Sequence, residues 1–175
     1  PPQAIEAEQS VLGGLLLDNA AFDRIDGQLK ANDFYQAAHQ SIYRAITGLL
    51  QRGEPADVIT VSDVIERAGE TERTGGLAYL GDVAANTPTA ANINAYARMV
   101  VDAKARRDMI QAGQRIIEIA RDKGSDAVTR VDAASGIVAA LSDQRGDRAP
   151  TSISELMATA IDNIQKRVDA GGAVS

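Results

Sequence analysis

Nucleotide or acid–base chemistry in this chain would have to be built from four lysines and one histidine. The lysines are Lys30, Lys104, Lys123 and Lys166. A phosphate-binding loop needs glycines followed by Gly-Lys-Ser or Gly-Lys-Thr, so that backbone amides and an ammonium hold the phosphates together. None of the four lysines has that setting, and Lys123-Gly124-Ser125 has the residues in the wrong order. His39 has no second histidine or cysteine near it in sequence, which reads as a structural or surface residue rather than a metal ligand or general base. Gly75-Gly76 precedes a helix start, but without a preceding strand or a following lysine the pair reads as a tight turn rather than an anion cradle. No H-E-x-x-H, G-x-S-x-G or paired metal-ligand spacing occurs, and the carboxylates fall on the polar faces of amphipathic helices. The expectation is a chain with no catalytic site, no metal site and no bound cofactor.

Charge narrows the binding classes. Residues 1–95 carry 6 Lys+Arg against 13 Asp+Glu, whereas residues 96–145 carry 9 against 7. An acidic first half repels phosphate, so nonspecific nucleic-acid binding, which draws on clustered positive charge, is disfavoured there. The absence of cysteine removes disulfides and thiolate sites and fits a reducing compartment. No apolar run approaches the ~20 residues of a membrane span, and the first residues lack the basic and apolar regions of a signal peptide. A soluble, cytoplasmic protein without membrane contact is expected.

The elements that must carry any function read as helices throughout. Apolar residues make up 45% of the chain but aromatics only 3%, so aliphatic side chains must do the packing. Ile5 to Leu17 predicts a first helix with Val11, Leu12, Leu15 and Leu16 on one face, and Gly13-Gly14 inside it points to close approach by another helix, the alternative being a break at that point. Asp18-Asn19 caps a short second helix with Phe22, Ile25 and Leu29. Phe34 and Tyr35 open the best patterned helix, in which Ala38, Ile42, Ala45, Ile46, Leu49 and Leu50 recur until Gly53. Thr60, with Asp63 three residues on, caps a helix burying Val61, Val64, Ile65 and Ala68 and ending at Gly69. After Gly75-Gly76 a short helix turns Leu77, Leu80 and Val83 inward.

The dominant stretch runs from about Ala90 to Lys123, with Thr87 as cap and Pro88 at its first position. At about 1.5 Å per residue it would span roughly 50 Å. The residues before it fill a ball only about 25 to 30 Å across, so this helix must project. Met109, Ala112, Ile116 and Ile119 form one apolar stripe, and Ile110, Gly113, Ile117 and Ala120 an adjacent one. A single packing partner cannot cover both. Gly124-Ser125 is a stop followed by a cap, and Asp126 to Asp143 carries its own pattern at Ala127, Val131, Ala134, Val138 and Leu141. The hairpin so formed cannot hide all its apolar surface, and self-association is the expected remedy. Residues 143–152 are polar and broken by Gly146 and Pro150, as linkers are. Ser152 with Glu155 then makes a capping box for a last amphipathic helix with Ile153, Met157, Ala160, Ile161, Ile164 and Val168 on one face. A lone helix of that length is marginal in water, so its face is expected to dock on another surface. Gly171-Gly172 ends it, and the remaining residues close no unit, as in a piece that precedes a further domain.

IEAEQSVLGGLLLDN at 5–19, DFY at 33–35 with His39 and Ile42-Tyr43, GGLAYL at 75–80 and NTPTAANINAYA at 86–97 occur in an order that resembles the N-terminal domain of bacterial replicative DNA helicases of the DnaB type. The resemblance implies an all-α fold: a compact multi-helix head over 1–95, a projecting helical hairpin over 96–142, a flexible linker over 143–151, a separate amphipathic linker helix over 152–170, and at 171–175 the start of a connection to a motor domain. It also implies paired hairpins that build a hexamer collar as a trimer of dimers, binding of primase and of a helicase loader, and docking of the linker helix through Ile153, Met157, Ile161, Ile164 and Val168 on a neighbouring motor domain. ATP, magnesium and most contact with single-stranded DNA belong to that absent motor. The self-association candidates are Ile110, Gly113, Ile117, Ala120, Val131 and Val138. Candidates for a primase-facing surface are Tyr79, Ile110 and Ile116. A competing reading is weak single-stranded DNA binding through Arg98, Lys104, Arg106, Arg107, Arg115 and Arg121 of the hairpin.

Overall fold

In the computed structural model, which describes residues 1–146, every regular element is helical. The expected linker beyond residue 146 and the helix at 152–170 lie outside the described residues. Helix α1 spans Ile5–Leu17, as its sequence pattern predicts, and buries Val11, Leu12, Leu15 and Leu16. Its two glycines explain how the head closes. A Cβ placed on Gly13 would lie 2.0 Å from Thr87 Oγ1 and 2.8 Å from the Val83 carbonyl oxygen. The segment from Val83 to Thr87 therefore sits directly on the α1 backbone at a point where no side chain fits.

Asp18 caps the next element through a bond from the Ala20 amide, but the element is a 3-10 helix, Asn19–Arg24, and not the short α-helix expected. Asn19 explains the difference. Its side-chain amide donates to the Leu15 and Ala56 carbonyls (2.8 Å each) and accepts from the Ala56 amide, so it ties the first connection to the 53–57 turn. Helix α2, Ala37–Gln51, starts later than its apolar pattern suggests, because Phe34 takes an extended conformation after the short 3-10 turn Ala31–Asp33. Phe34 is buried against the Tyr43 ring at 4.9 Å, and Tyr43 donates to the Leu29 carbonyl. Burial, together with Asp26 and Asp33, pushes the Tyr43 hydroxyl well above its ordinary pKa.

Helix α3 spans Val58–Arg67 and is capped by Asp57, not Thr60. Asp57 accepts from the Ile59 and Thr60 amides while Thr60 Oγ1 accepts from the Asp57 amide, a reciprocal box shifted three residues upstream. Asp63 pairs instead with Arg67 at 2.7 Å, and Ala68 is exposed. A one-turn α4, Thr71–Thr74, not visible in the sequence pattern, leads through left-handed Gly75 into α5, Gly76–Ala85. Leu80 and Val83 of α5 are buried, but Leu77 is half exposed.

Helix α6, Ile93–Arg121, is the 29-residue element around which the rest is arranged. It begins three residues later than the expected stretch, and Thr87 does not cap it. Thr87 is buried and donates to the Val83 carbonyl (2.8 Å), closing α5. The first half of α6 packs into the head through Ile93, Ala97, Val100 and Ala103, past the expected boundary at residue 96. Its second half pairs with α7, Ala127–Gly146. Asp126, rather than Ser125, caps α7 by accepting from the Thr129 amide (2.8 Å). Arg130 donates to the Asp122 and Ser125 carbonyls and so fixes how α7 is rotated about its axis. The half-buried residues of α7 are consequently Arg130, Ala134, Ile137 and Leu141, while Ala127, Val131 and Val138 of the expected stripe stay outside.

Two tests follow from these contacts. Gly13→Ala should lower stability by about 1–3 kcal/mol through overpacking, whereas Gly81→Ala, where a Cβ meets nothing within 4 Å, should raise it by roughly 0.5–1 kcal/mol in urea unfolding. At the hairpin tip, the Gly124 amide and then the Ser125 hydroxyl hold Asp122 below its ordinary pKa, and the Thr129 amide does the same for Asp126. Groups with lowered folded-state pKa values stabilise above the ordinary carboxylate value of about 4 and lose that contribution as the pH falls through the folded values. Amide exchange at Thr129, corrected for its intrinsic rate, should therefore speed up below about pH 4; in Asp126→Asn that acid dependence should be largely gone.

Candidate functional site

Beyond Ala103 the apolar residues of α6 divide between two directions. Ala112 is buried, and Ile116 and Ile119 are half-buried beside it, while Met109, expected in the same stripe, is exposed. The adjacent stripe faces away: Ile110 is 48% and Ile117 51% exposed, Ala120 is open, and half-buried Gly113 has no atom within 4 Å of where its Cβ would stand. On α7, Val131 is 64% and Val138 53% exposed. The structure thus leaves five of the six self-association candidates in the open and the sixth, Gly113, partly so. Ile116, a primase-surface candidate, is half covered. Among the described residues this is a projecting helical pair with aliphatic side chains on its outside, the kind of surface that excludes water only when something covers it.

Between the two helices lies a cleft of about 330 Å³ lined by Asp108, Ala112, Arg115, Gly136, Ile137 and Ala140 among others. Small residues, Ala112, Ala133, Gly136 and Ala140, alternate along it with Ile137 and Leu141, and Asp108, Gln111 and Arg115 add polar side chains. The basic residues of the hairpin do not form a free positive face. Lys104 is paired with Asp108, and Arg106 with Asp102 at 2.8 Å. Arg107 donates to the Pro2 and Asp33 carbonyls, and Arg98, Arg115 and Arg121 are exposed.

Tyr79, the remaining primase-surface candidate, belongs to a different constellation. Glu8 and His39 are fully buried, and the His39 Nδ1–H donates to Glu8 at 2.6 Å. The Glu8 carboxylate also accepts from the Tyr35 amide (2.6 Å) and the Gln36 amide (3.4 Å), the free backbone donors ahead of α2. The Tyr79 hydroxyl lies 2.6 Å from His39 Nε2 and accepts from Gln9 Nε2 at 3.1 Å. With Nδ1 protonated, a neutral imidazole leaves Nε2 to accept the Tyr79 O–H. This polar chain joins α1, α2 and α5 inside the head. It has the order of a proton relay, but its ends close on backbone amides and Gln9. His39 is structural, as its isolation in sequence suggests, and Tyr79 is half-buried with its hydroxyl committed inward.

Glu8 was the residue missed. The signal was present, since Glu8 falls on the same helical face as Val11, Leu12 and Leu15, where an acid needs a buried partner. Glu8→Ala would leave His39 and two backbone amides without an acceptor. It should cost about 3–5 kcal/mol in urea or thermal unfolding, and the His39 side chain should lose its hydrogen-bonded Nδ1 proton signal by NMR.

Comparison with known proteins places the fold. Residues 1–102 match the family described as DnaB-like helicase N terminal domain. The chain is 36% identical over 168 residues to Replicative DNA helicase DnaB of Buchnera aphidicola subsp. Baizongia pistaciae (strain Bp), a match covering 94% of this chain and 36% of that protein. Replicative DNA helicase DnaB of Mycobacterium leprae (strain TN) is 36% identical over 174 residues, covering 98% of this chain and 29% of its own length. The chain thus spans about a third of the length of these relatives. The crystal structure of the N-terminal domain of DnaB helicase from Mycobacterium tuberculosis superposes with a TM-score of 0.75 at 41% identity, over 79% of this chain and 97% of that one. A DnaB-like replicative helicase, solved in a study that also describes its interactions with primase, shares the fold with a TM-score of 0.64 at 23% identity, over 93% of this chain and 35% of that one. By the match over its first 102 residues and the close agreement with an isolated domain of the same kind, the chain belongs to the DnaB-like helicase N-terminal domain family.

Proposed function

We propose that this chain is the non-catalytic N-terminal module of a replicative DNA helicase and that its hairpin is the surface through which copies associate. The observation that carries this reading is the outer stripe of α6, where Ile110 and Ile117 are about half exposed on a helical pair that leaves the head. In this reading hairpins pair into dimers, three dimers form a hexameric collar, and the collar docks primase. Ile110 and Ile116 are the hairpin candidates for the primase surface, and Tyr79 the head candidate. Support for primase comes from a relative of the same fold that is described with its interactions with primase. A helicase loader is a further partner class, acting on the contacts between copies. ATP hydrolysis with magnesium, unwinding and most contact with single-stranded DNA are assigned to a motor domain of the longer protein, which the linker helix reaches through Ile153, Met157, Ile161, Ile164 and Val168. The longer protein works in the bacterial cytoplasm at the replication fork.

Direct DNA binding by the hairpin is disfavoured on one observation. Lys104 and Arg106 are each paired with a carboxylate one turn away, and Arg107 is spent on backbone carbonyls. Three exposed arginines spread along α6 release few counterions.

The test is Ile117→Asp. A charge at the centre of an apolar contact typically costs 2 kcal/mol or more, so the dissociation constant for self-association should rise by on the order of thirtyfold. Helix content should remain near wild type, since Ile117 contributes little to the core. Light scattering across a concentration series reads the mass. An unchanged mass, in a chain that does self-associate, counts against the hairpin as the interface.

A further inference from the structure

The positions by which α6 packs into the head recur at Ile93, Ala97, Val100 and Ala103, and the next on that line is Arg107. Where an aliphatic residue would continue the pattern, a guanidinium stands. It donates to the Pro2 carbonyl at 3.0 Å and to the Asp33 carbonyl at 2.6 Å, and its central carbon lies 5.4 Å from the centre of the Tyr35 ring. Three separate pieces of the head are held by this one side chain: the segment before α1, the 3-10 turn before α2, and the extended residues that follow that turn. The ion pairs Asp102–Arg106 and Lys104–Asp108 bind α6 to itself over the same turns.

We propose that Arg107 is a positioning residue that fixes the angle at which the hairpin leaves the head. The lever arm explains why one side chain matters. From Arg107 to the end of α6 at Arg121 the helix runs on for about 14 residues, roughly 21 Å at ~1.5 Å each. A loosening of about 10° at the exit moves the tip by about 4 Å, comparable to a whole side-chain contact. An aliphatic side chain at 107 would pack on the Tyr35 ring but could not hold two carbonyls in fixed directions. Lysine could reach one carbonyl and could neither span both nor stack flat on the ring. For its functional consequence the inference rests on the hairpin being the interface proposed above. A hairpin held at one angle presents Ile110 and Ile117 already oriented, so less freedom is lost when copies join.

The chain contains no cysteine, so spin labels can be placed at will. Lys123→Cys and Glu66→Cys put one label on the hairpin tip and one on α3 of the head, both on exposed residues. The doubly labelled chain, diluted with unlabelled chain so that only distances within one copy are read, should give one narrow distance distribution by pulsed electron resonance. Arg107→Met should broaden it by about 4 Å while far-UV dichroism stays unchanged. Arg107→Lys should fall between the two, and Arg106→Met, which removes only an exposed pair, should leave it narrow. An Arg107→Met distribution as narrow as wild type overturns the inference, and if that variant does not fold, a narrow Arg107→Lys distribution does the same. Self-association of Arg107→Met should weaken by about tenfold through lost preorganisation. A broadened distribution with unchanged association keeps Arg107 as the positioning residue and counts instead against the hairpin as the interface.

Discussion

A single helix must serve two surroundings here, and most of the structure answers to that constraint. Helix α6 is longer than the head can wrap, so its hydrogen-bonded backbone carries one set of side chains through a core and the next set out of it. In the first half the inward spacing meets α1 and the 3-10 segments, and small residues such as Ala97 and Ala103 let the neighbours approach. In the second half only α7 is available. One partner covers about one face, so the stripe next to Ala112 is left exposed whatever the identity of its residues. The projection of Ile110 and Ile117 is thus a geometric result of helix length and partner number, and it would persist with other aliphatic residues at the same places.

Besides the first half of α6, the head closes through contacts that α6 does not make. Gly13 lets the turn after α5 sit on α1, and Glu8 gathers the loose donors ahead of α2 together with His39. Both contacts lie on α1 and bring in residues some 30 to 75 positions away in the chain. A buried carboxylate is costly without partners, and three donors around Glu8 convert it from a liability into a constraint on direction. The Tyr79 hydroxyl extends the chain to α5, so α1, α2 and α5 hold one another by specific angles as well as by apolar area. Aliphatic packing with few aromatics is permissive about orientation, and this polar line supplies what such packing lacks.

The sequence makes the helices legible and their rotations much less so. The bounds of α1, the burial of Ile42, Ile46 and Leu49, and the close approach at Gly13-Gly14 follow from spacing alone, because period and glycine placement are local signals. Caps were misplaced where two candidates compete. Asp57 outdoes Thr60, and Asp126 outdoes Ser125, since a carboxylate accepts from helix amides more strongly than a hydroxyl. Thr87 was drawn away from α6 by the Val83 carbonyl within reach below it, a contact between segments that the local pattern does not contain. The stripe on α7 was read one step out of rotation because Arg130 reaches back to the tip carbonyls. Polar side chains that bond backbone decide such rotations, and their partners are set by the fold. The same reason hid Glu8 and Arg107, whose types are ordinary and whose partners are distant in sequence. The exposed stripe at Ile110 and Ile117 was legible because it rests on counting faces against partners.

The hairpin has an interior of its own where α6 meets α7. Ala112, Ala133, Gly136 and Ala140 stand beside Ile137 and Leu141 there, and charged Asp108 and Arg115 line the same cleft. The tip bonds of Asp122, Asp126 and Arg130 add direction to that apolar contact. In the proposed reading copies associate through the outer stripe while the head holds the core, so substitutions in the two regions act on different equilibria. The base of α6, where the last head contacts meet the first unpartnered turn, is the place where the two equilibria join.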